Sequence, residues 1–299
     1  MKYSYNKSFG IVGGILLAGF MLAACDDKDT NIGDKGVEVQ VSSEIVAMTG
    51  DQASDNGWNA NDAIGVFMVK AGKGIVVNMA SNQRFVTSGD GIFGPAQGRM
   101  TFPVSGEKVD LFSYAPYQDL VYDFIYPIAL GDQSSALASP LLYADRVRDK
   151  NADAPQVKFA FRHQLARLVM KVSAGEGIPN LEGLSIRIKG MNTEAEFDLL
   201  DGALGVKASV GEIVPTPVGD NVYCALLLPT GTDLTQEHVV DFTIPGNTYT
   251  WNMADDISKI EKAKVYEFDI AVNRAGISVS GTIKDWVDTD WEDVSAGNN

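Results

Sequence analysis

The sequence holds little of what catalytic or redox centres are built from. Its 299 residues include two cysteines, Cys25 and Cys224, and two histidines, His163 and His238. A zinc site needs three or four nitrogen or sulfur ligands in a tetrahedron, and two scattered histidines with one spare cysteine supply them poorly. Two cysteines make no disulfide framework either. Basic residues are outnumbered, 24 Lys and Arg against 39 Asp and Glu, for a net charge of −15. A surface this acidic repels phosphate backbones and anionic lipid faces, which argues against nucleic acid as a partner. No G-x-S-x-G, H-E-x-x-H or P-loop motif occurs. The stretch Gly89-Asp90-Gly91-Ile92-Phe93-Gly94 matches G-x-G-x-x-G in letters, but Pro95 and Gly98 follow where a helix must start to hold a phosphate, so it reads as a turn. Asp288, Asp290, Glu292 and Asp293 lack the glycine of an EF-hand loop and read as a solvated acidic end. No catalytic, cofactor or metal residue is expected.

Long apolar runs are also scarce. The one present, Phe9 to Ala24, follows Lys2 and Lys7 and is shorter than the roughly 18–20 residues that span a bilayer. It reads as a signal peptide over residues 1–24. The run ends in Leu22-Ala23-Ala24-Cys25, and small residues followed at once by cysteine resemble a bacterial lipobox, which makes Cys25 the expected site of lipid attachment by acyl chains such as palmitate. Loss of residues 1–24 removes two lysines and no acid, taking the charge to −17. Asp26, Asp27 and Asp29 then serve either as a sorting tag or as a solvated tether, which spans residues 25–36.

Beyond the tether the dominant signal is period two. Val37, Val39 and Val41 alternate with Glu38, Gln40 and Ser42, and the same alternation recurs in Val157–Arg162, Leu184–Lys189 and Tyr266–Val272. Continuous apolar runs at Ile64–Val69, Val109–Tyr114 and Tyr223–Leu228 suit strands buried on both faces. Turn residues punctuate these runs, as in Ala71-Gly72-Lys73-Gly74 and Ile244-Pro245-Gly246-Asn247. The expected class is all-β, in antiparallel β-sandwiches with short helical insertions near Ser139–Tyr143 and Asp256–Lys262. The polar stretch Asp145–Pro155 is the expected boundary between an N-terminal domain, 37–154, and a C-terminal one, 155–299. Cys224 reads as a small buried hydrophobe, and His163 as a structural histidine. Trp58, Trp251, Trp286 and Trp291 sit beside polar turn residues, so either packing or stacking on sugar rings is open to them.

Three segments together resemble the fimbrillin-like family, the lipoprotein subunits of type V pili. They are Asn56-Gly57-Trp58-Asn59-Ala60-Asn61-Asp62-Ala63-Ile64-Gly65-Val66-Phe67, Val109-Asp110-Leu111-Phe112-Ser113-Tyr114-Ala115-Pro116-Tyr117 and Phe159-Ala160-Phe161-Arg162-His163-Gln164-Leu165-Ala166-Arg167-Leu168. Lys264–Phe268 and Ile283–Trp286 fit the family's ending. The resemblance implies two tandem transthyretin-like β-sandwich domains, an outer-membrane lipoprotein at the cell surface, and a structural, adhesive or anchor subunit of a fimbria. It further implies assembly with other subunits by strand exchange and contact with a host or bacterial surface ligand. Val37, Val39 and Val41 would belong to the removable first strand, and Ile277, Val279, Ile283 and Trp286 to the donor segment. One feature departs from the family's maturation by an arginine-specific protease: no arginine lies between Cys25 and Arg84. The alternative from another class is a monomeric surface lipoprotein that binds glycans through exposed aromatics.

Overall fold

The computed structural model describes residues 36–46, 57–138 and 140–286. The signal peptide, Cys25, nearly all of the tether and the acids beyond Trp286 lie outside the described residues. The remainder is almost entirely β, and residues from Gly36 onward form one compact unit.

The first half contributes β1 (Gln40–Ile45), β2 (Ala63–Lys70), β3 (Gln83–Thr87), β4 (Ile92–Pro95), β5 (Val109–Ala115) and β6 (Ile125–Ala129). Helix α1 (Gln133–Ala138), β7 (Leu142–Lys150) and β8 (Gln156–His163) complete it. Seven of these strands close in the order β1-β4-β3-β2-β5-β7-β8. The ring closes through β1, which pairs antiparallel with β4 on one side and parallel with β8 on the other.

The second half runs β9 (Ala166–Ala174), β10 (Ser185–Asn192), β11 (Glu194–Asp198), β12 (Ala203–Val206), β13 (Val210–Ile213), β14 (Thr216–Gly219) and β15 (Val222–Leu227). It ends with β16 (Val239–Ile244), β17 (Asn247–Asn252), β18 (Lys264–Asn273) and β19 (Gly276–Asp285). A four-stranded sheet, β13-β10-β16-β17, faces a five-stranded one, β14-β15-β9-β18-β19. Between them lie Leu168, Met170, Ile188, Phe242, Trp251 and Phe268, the core of a sandwich.

The continuous apolar runs follow from a third core between the halves. Ile64, Val66 and Met68 of β2 point into the barrel, while Phe67 and Val69 point outward onto Phe112, Tyr114, Val169, Cys224 and Leu226. A strand with a hydrophobic core on each face has no reason to alternate. The small sheet β12-β11-β6 covers this third core, and in it β6 of the first half pairs with β11 of the second. Helix α1 is held by Gln133, whose Nε2 donates to the carbonyls of Leu130 (2.9 Å) and Leu226 (3.2 Å) while its Oε1 accepts from the Leu226 N–H at 2.7 Å.

Three expectations need correction. Residues 145–155 are no linker: β7 runs through Lys150, and β8 completes the barrel, so the change of sheet falls at Gln164–Leu165. Asp145, Arg148 and Asp149 are exposed while the backbone of this stretch pairs with β5, so a strand reads in sequence as a spacer. The helix expected at 139–143 lies earlier, at 133–138, because Leu142, Tyr143 and Ala144 are buried in β7. Residues 256–262 are not helical, and only a 3₁₀ turn at Met253–Asp255, capped by the Asn252 side chain, precedes them.

Candidate functional site

The two terminal strands of the described fold, β1 and β19, are held in opposite ways. β1 is short but enclosed. Val39, Val41 and Ile45 point into the barrel and are 6%, 3% and 1% exposed, packed in one core with Phe85, Phe93, Phe102, Phe159 and Phe161. Ser43 holds the inward position between Val41 and Ile45. The backbone is paired on both sides: the Val39 N–H donates to Met100 O (2.9 Å), Gln40 to Pro155 (2.9 Å), Ser43 to Gly91 (2.8 Å) and Val46 to Phe161 (2.9 Å). Glu44 meets Lys158 at 2.6 Å, and Glu38 pairs with Arg99. Without β1 the barrel would present the edges of β4 and β8 over an open apolar trough. Val37 is 43% exposed and lies at the rim, so it is not one of the buried side chains. Ile45, absent from the sequence expectation, is the deepest of them; its signal was the period-two continuation past two serines.

β19 is long but open. It pairs with β18 over ten residues, from Lys264↔Asp285 to Asn273↔Gly276, and stands at the end of its sheet. Ile277 and Val279 are half-buried against the second core, and Ile283 is 49% exposed. Gly281 lies under the Phe268 ring, where an added Cβ would fall 2.2 Å from Phe268 Cδ1 and 2.3 Å from Glu267 O. Trp286, expected to be part of an available donor, is 1% exposed: its ring stacks on His163 at 3.8 Å and 10°, and the Arg167 guanidinium lies 5.0 Å from its centroid. Its backbone N–H donates to Ala263 O at 2.9 Å. Trp286 therefore anchors the hairpin at the junction of the two halves. His163, at the end of β8, is buried in that stack.

Lys171 on β9 and Lys284 on β19 flank Glu267 at 2.6 and 3.5 Å, and the hydrogen bond from Lys171 holds the Glu267 carboxyl below its ordinary value. Burial pushes the Cys224 thiol up to about 12, which keeps it a neutral hydrophobe. The Gly89–Gly91 segment is the β3–β4 turn, with both glycines at positive φ and Asp90 accepting from the Ile92 N–H at 3.0 Å; that bond holds the Asp90 carboxyl below its ordinary value.

Glycan platforms on Trp58, Trp251 and Trp286 are overturned by burial, at 8%, 3% and 1% exposure. Trp58 packs edge-on against Phe93 and Phe161, and Trp251 Nε1 donates to Asp256 at 2.8 Å. Trp291 lies outside the described residues. His238 accepts the Thr235 N–H at 2.9 Å in a local turn.

The family model described as fimbrillin-like matches residues 52–286. A curated Bacteroides uniformis protein named as a candidate fimbrium subunit, Fim1C, is 27% identical over 289 residues, 91% of this chain and 93% of that one. The fold is similar to the crystal structure of a candidate cell adhesion protein from Bacteroides uniformis, with TM-score 0.71 and 24% identity over 84% of this chain and 98% of that one. It is also similar to one from Bacteroides ovatus, with TM-score 0.66, 17% identity and the same coverage. With four-fifths of its length matched, from before the second strand to the buried Trp286, the chain belongs to the fimbrillin-like family.

Proposed function

We propose that this chain is a structural subunit of a cell-surface fimbria, exported as a lipoprotein through Cys25 and assembled with other subunits by exchange of β1 for a neighbour's β19. The halves are then a pair of transthyretin-like domains meeting at Gln164–Leu165. One observation carries the reading. The inward positions of β1 and of the residue just before it are Val39, Val41, Ser43 and Ile45, and alternate positions of β19 are Ile277, Val279, Gly281 and Ile283. Both strands thus offer large, large, small, large at the same spacing, so β19 of one subunit has the side chains to refill a trough vacated by β1 of another. Refilling would restore backbone pairing to β4 and β8 and bury the apolar trough at once.

Trp286 must leave its stack when β19 extends, which makes it the latch of the free subunit. Residues 47–56, just after β1, hold neither lysine nor arginine. A protease of different specificity would have to release β1; a chain that keeps it stays lipid-anchored at the base.

The test is electrophoresis, without boiling, of material sheared from expressing cells, with N-terminal sequencing of each band. A ladder of stable multimers beginning beyond Ile45 supports exchange. A single monomer beginning at lipidated Cys25 limits the chain to an anchor role. Ile283→Asp should stop multimers while leaving the monomer folded; ladders that survive it and removal of residues 277–299 would assign the donor elsewhere. Cys25→Ser should abolish lipid labelling.

A further inference from the structure

The chain enters its fold at one end of the barrel, and that end differs from the rest of the surface. Gly36 packs on Thr101 and Phe102, Val37 O accepts the Phe102 N–H at 2.9 Å, and Asn78 Nδ2 donates to Thr101 O at 2.9 Å. Ala71 N donates to Lys108 O at 3.3 Å, and Val109 pairs with both Lys70 and Lys150. Segments 36–39, 70–79, 96–110 and 146–155 therefore form one rim. Val37, Ile75, Met79 and Val104 stand out from it, at 43%, 54%, 91% and 70% exposure. Asn78 and Met79 both have positive φ, 51° and 53°, so a stiff turn holds the Met79 side chain in water.

Charge is distributed unevenly in the same sense. The rim segments hold seven bases and five acids, a surplus of two bases, in a chain whose net charge is −15; everything else carries −17. Lys73 and Lys108 are exposed on this rim. Apolar side chains interspersed with lysines suit the boundary between headgroups and acyl chains.

We propose that this rim seats on an anionic lipid surface, with Val37, Met79 and Val104 at headgroup depth and Lys73 and Lys108 among the phosphates. The inference rests on lipidation of Cys25. From there to Gly36 the chain can reach at most about 40 Å, and Gly36 lies on the rim itself, so the tether delivers this end to the membrane first. The opposite end is acidic where it is apolar: Leu120 and Tyr122, 66% and 71% exposed, stand between Asp119 and Asp123. Net charge by itself argues against a membrane contact, and the seat exists only because the bases are gathered at one end.

The test uses the full lipidated chain reconstituted on vesicles of phosphatidylcholine with phosphatidylglycerol, and a polarity-sensitive fluorophore on Met79→Cys or, as control, on Tyr122→Cys. Cys224 is buried and stays unlabelled. The seat predicts severalfold stronger quenching by lipid-borne quenchers at position 79 than at 122, reduced in pure phosphatidylcholine and in a Lys73→Gln/Lys108→Gln variant. Vesicle flotation with equal quenching at both positions overturns the seat and leaves the tether standing. Failure to float overturns the tether and the seat with it. A blue shift at position 79 that grows with protein concentration in detergent, without vesicles, identifies a second copy as the occupant and overturns the lipid assignment.

Discussion

β1 and β19 are both terminal strands of the described fold, yet their stability comes from different sources. β19 forms ten pairs with one neighbour and keeps most of its side chains in water. β1 spans six residues, but both its edges are paired, and two of its side chains, with Val39 just before it, are nearly inaccessible. Backbone hydrogen bonds exchange protein for water partners and return little net free energy each, whereas buried aliphatic groups return about 25 cal/mol per Å². The shorter strand is therefore the harder one to remove, and the longer one the easier to spare.

Substitutions sharpen that contrast. The largest effect is expected at the one point where β19's segment is buried: Trp286→Ala should cost about 3–5 kcal/mol of unfolding free energy in urea titrations, and should speed hydrogen exchange along β18–β19 while the barrel amides stay protected. Next, Ile45→Ala should cost about 2–4 kcal/mol, whereas Ile283→Ala should stay within about 0.5 kcal/mol; equal costs would mean the two strands are held alike. Gly281→Ala, forced against Phe268 and the Glu267 carbonyl, should cost about 1–3 kcal/mol and act on the hairpin alone. The smallest effect is a pH dependence. Because Lys171 holds Glu267 below its ordinary value, that pairing stabilises at neutral pH, above the unfolded-state pKa, and is lost as acid is added through the folded value. Exchange of β18–β19 amides, corrected for intrinsic rate, should therefore quicken in acid, and Glu267→Gln should remove the change.

The family blocks are legible in sequence because they are the places where packing demands leave least choice. Ile64–Phe67 and Phe159–Phe161 line the barrel or its outer core, and Cys224 behaves as the small hydrophobe its neighbours suggest. Ile45 was hidden behind Ser42 and Ser43, which interrupt the apolar alternation although the backbone continues. For Trp286 the sequence leaves packing and sugar stacking both open, because its partners, His163 and Arg167, are more than a hundred residues away.

Alternation in sequence by itself determined the all-β class and most strand positions, because a strand with one wet face records that face every second residue. Composition likewise determined the scarcity of metal and redox ligands. Only the tertiary structure decided that β1 closes a barrel by a parallel pair with β8, that the halves share a third core, and that four exposed apolar side chains gather at the rim where the chain enters. Those are relations between residues far apart in the chain, set by which edges and faces are left to be buried once each strand has formed.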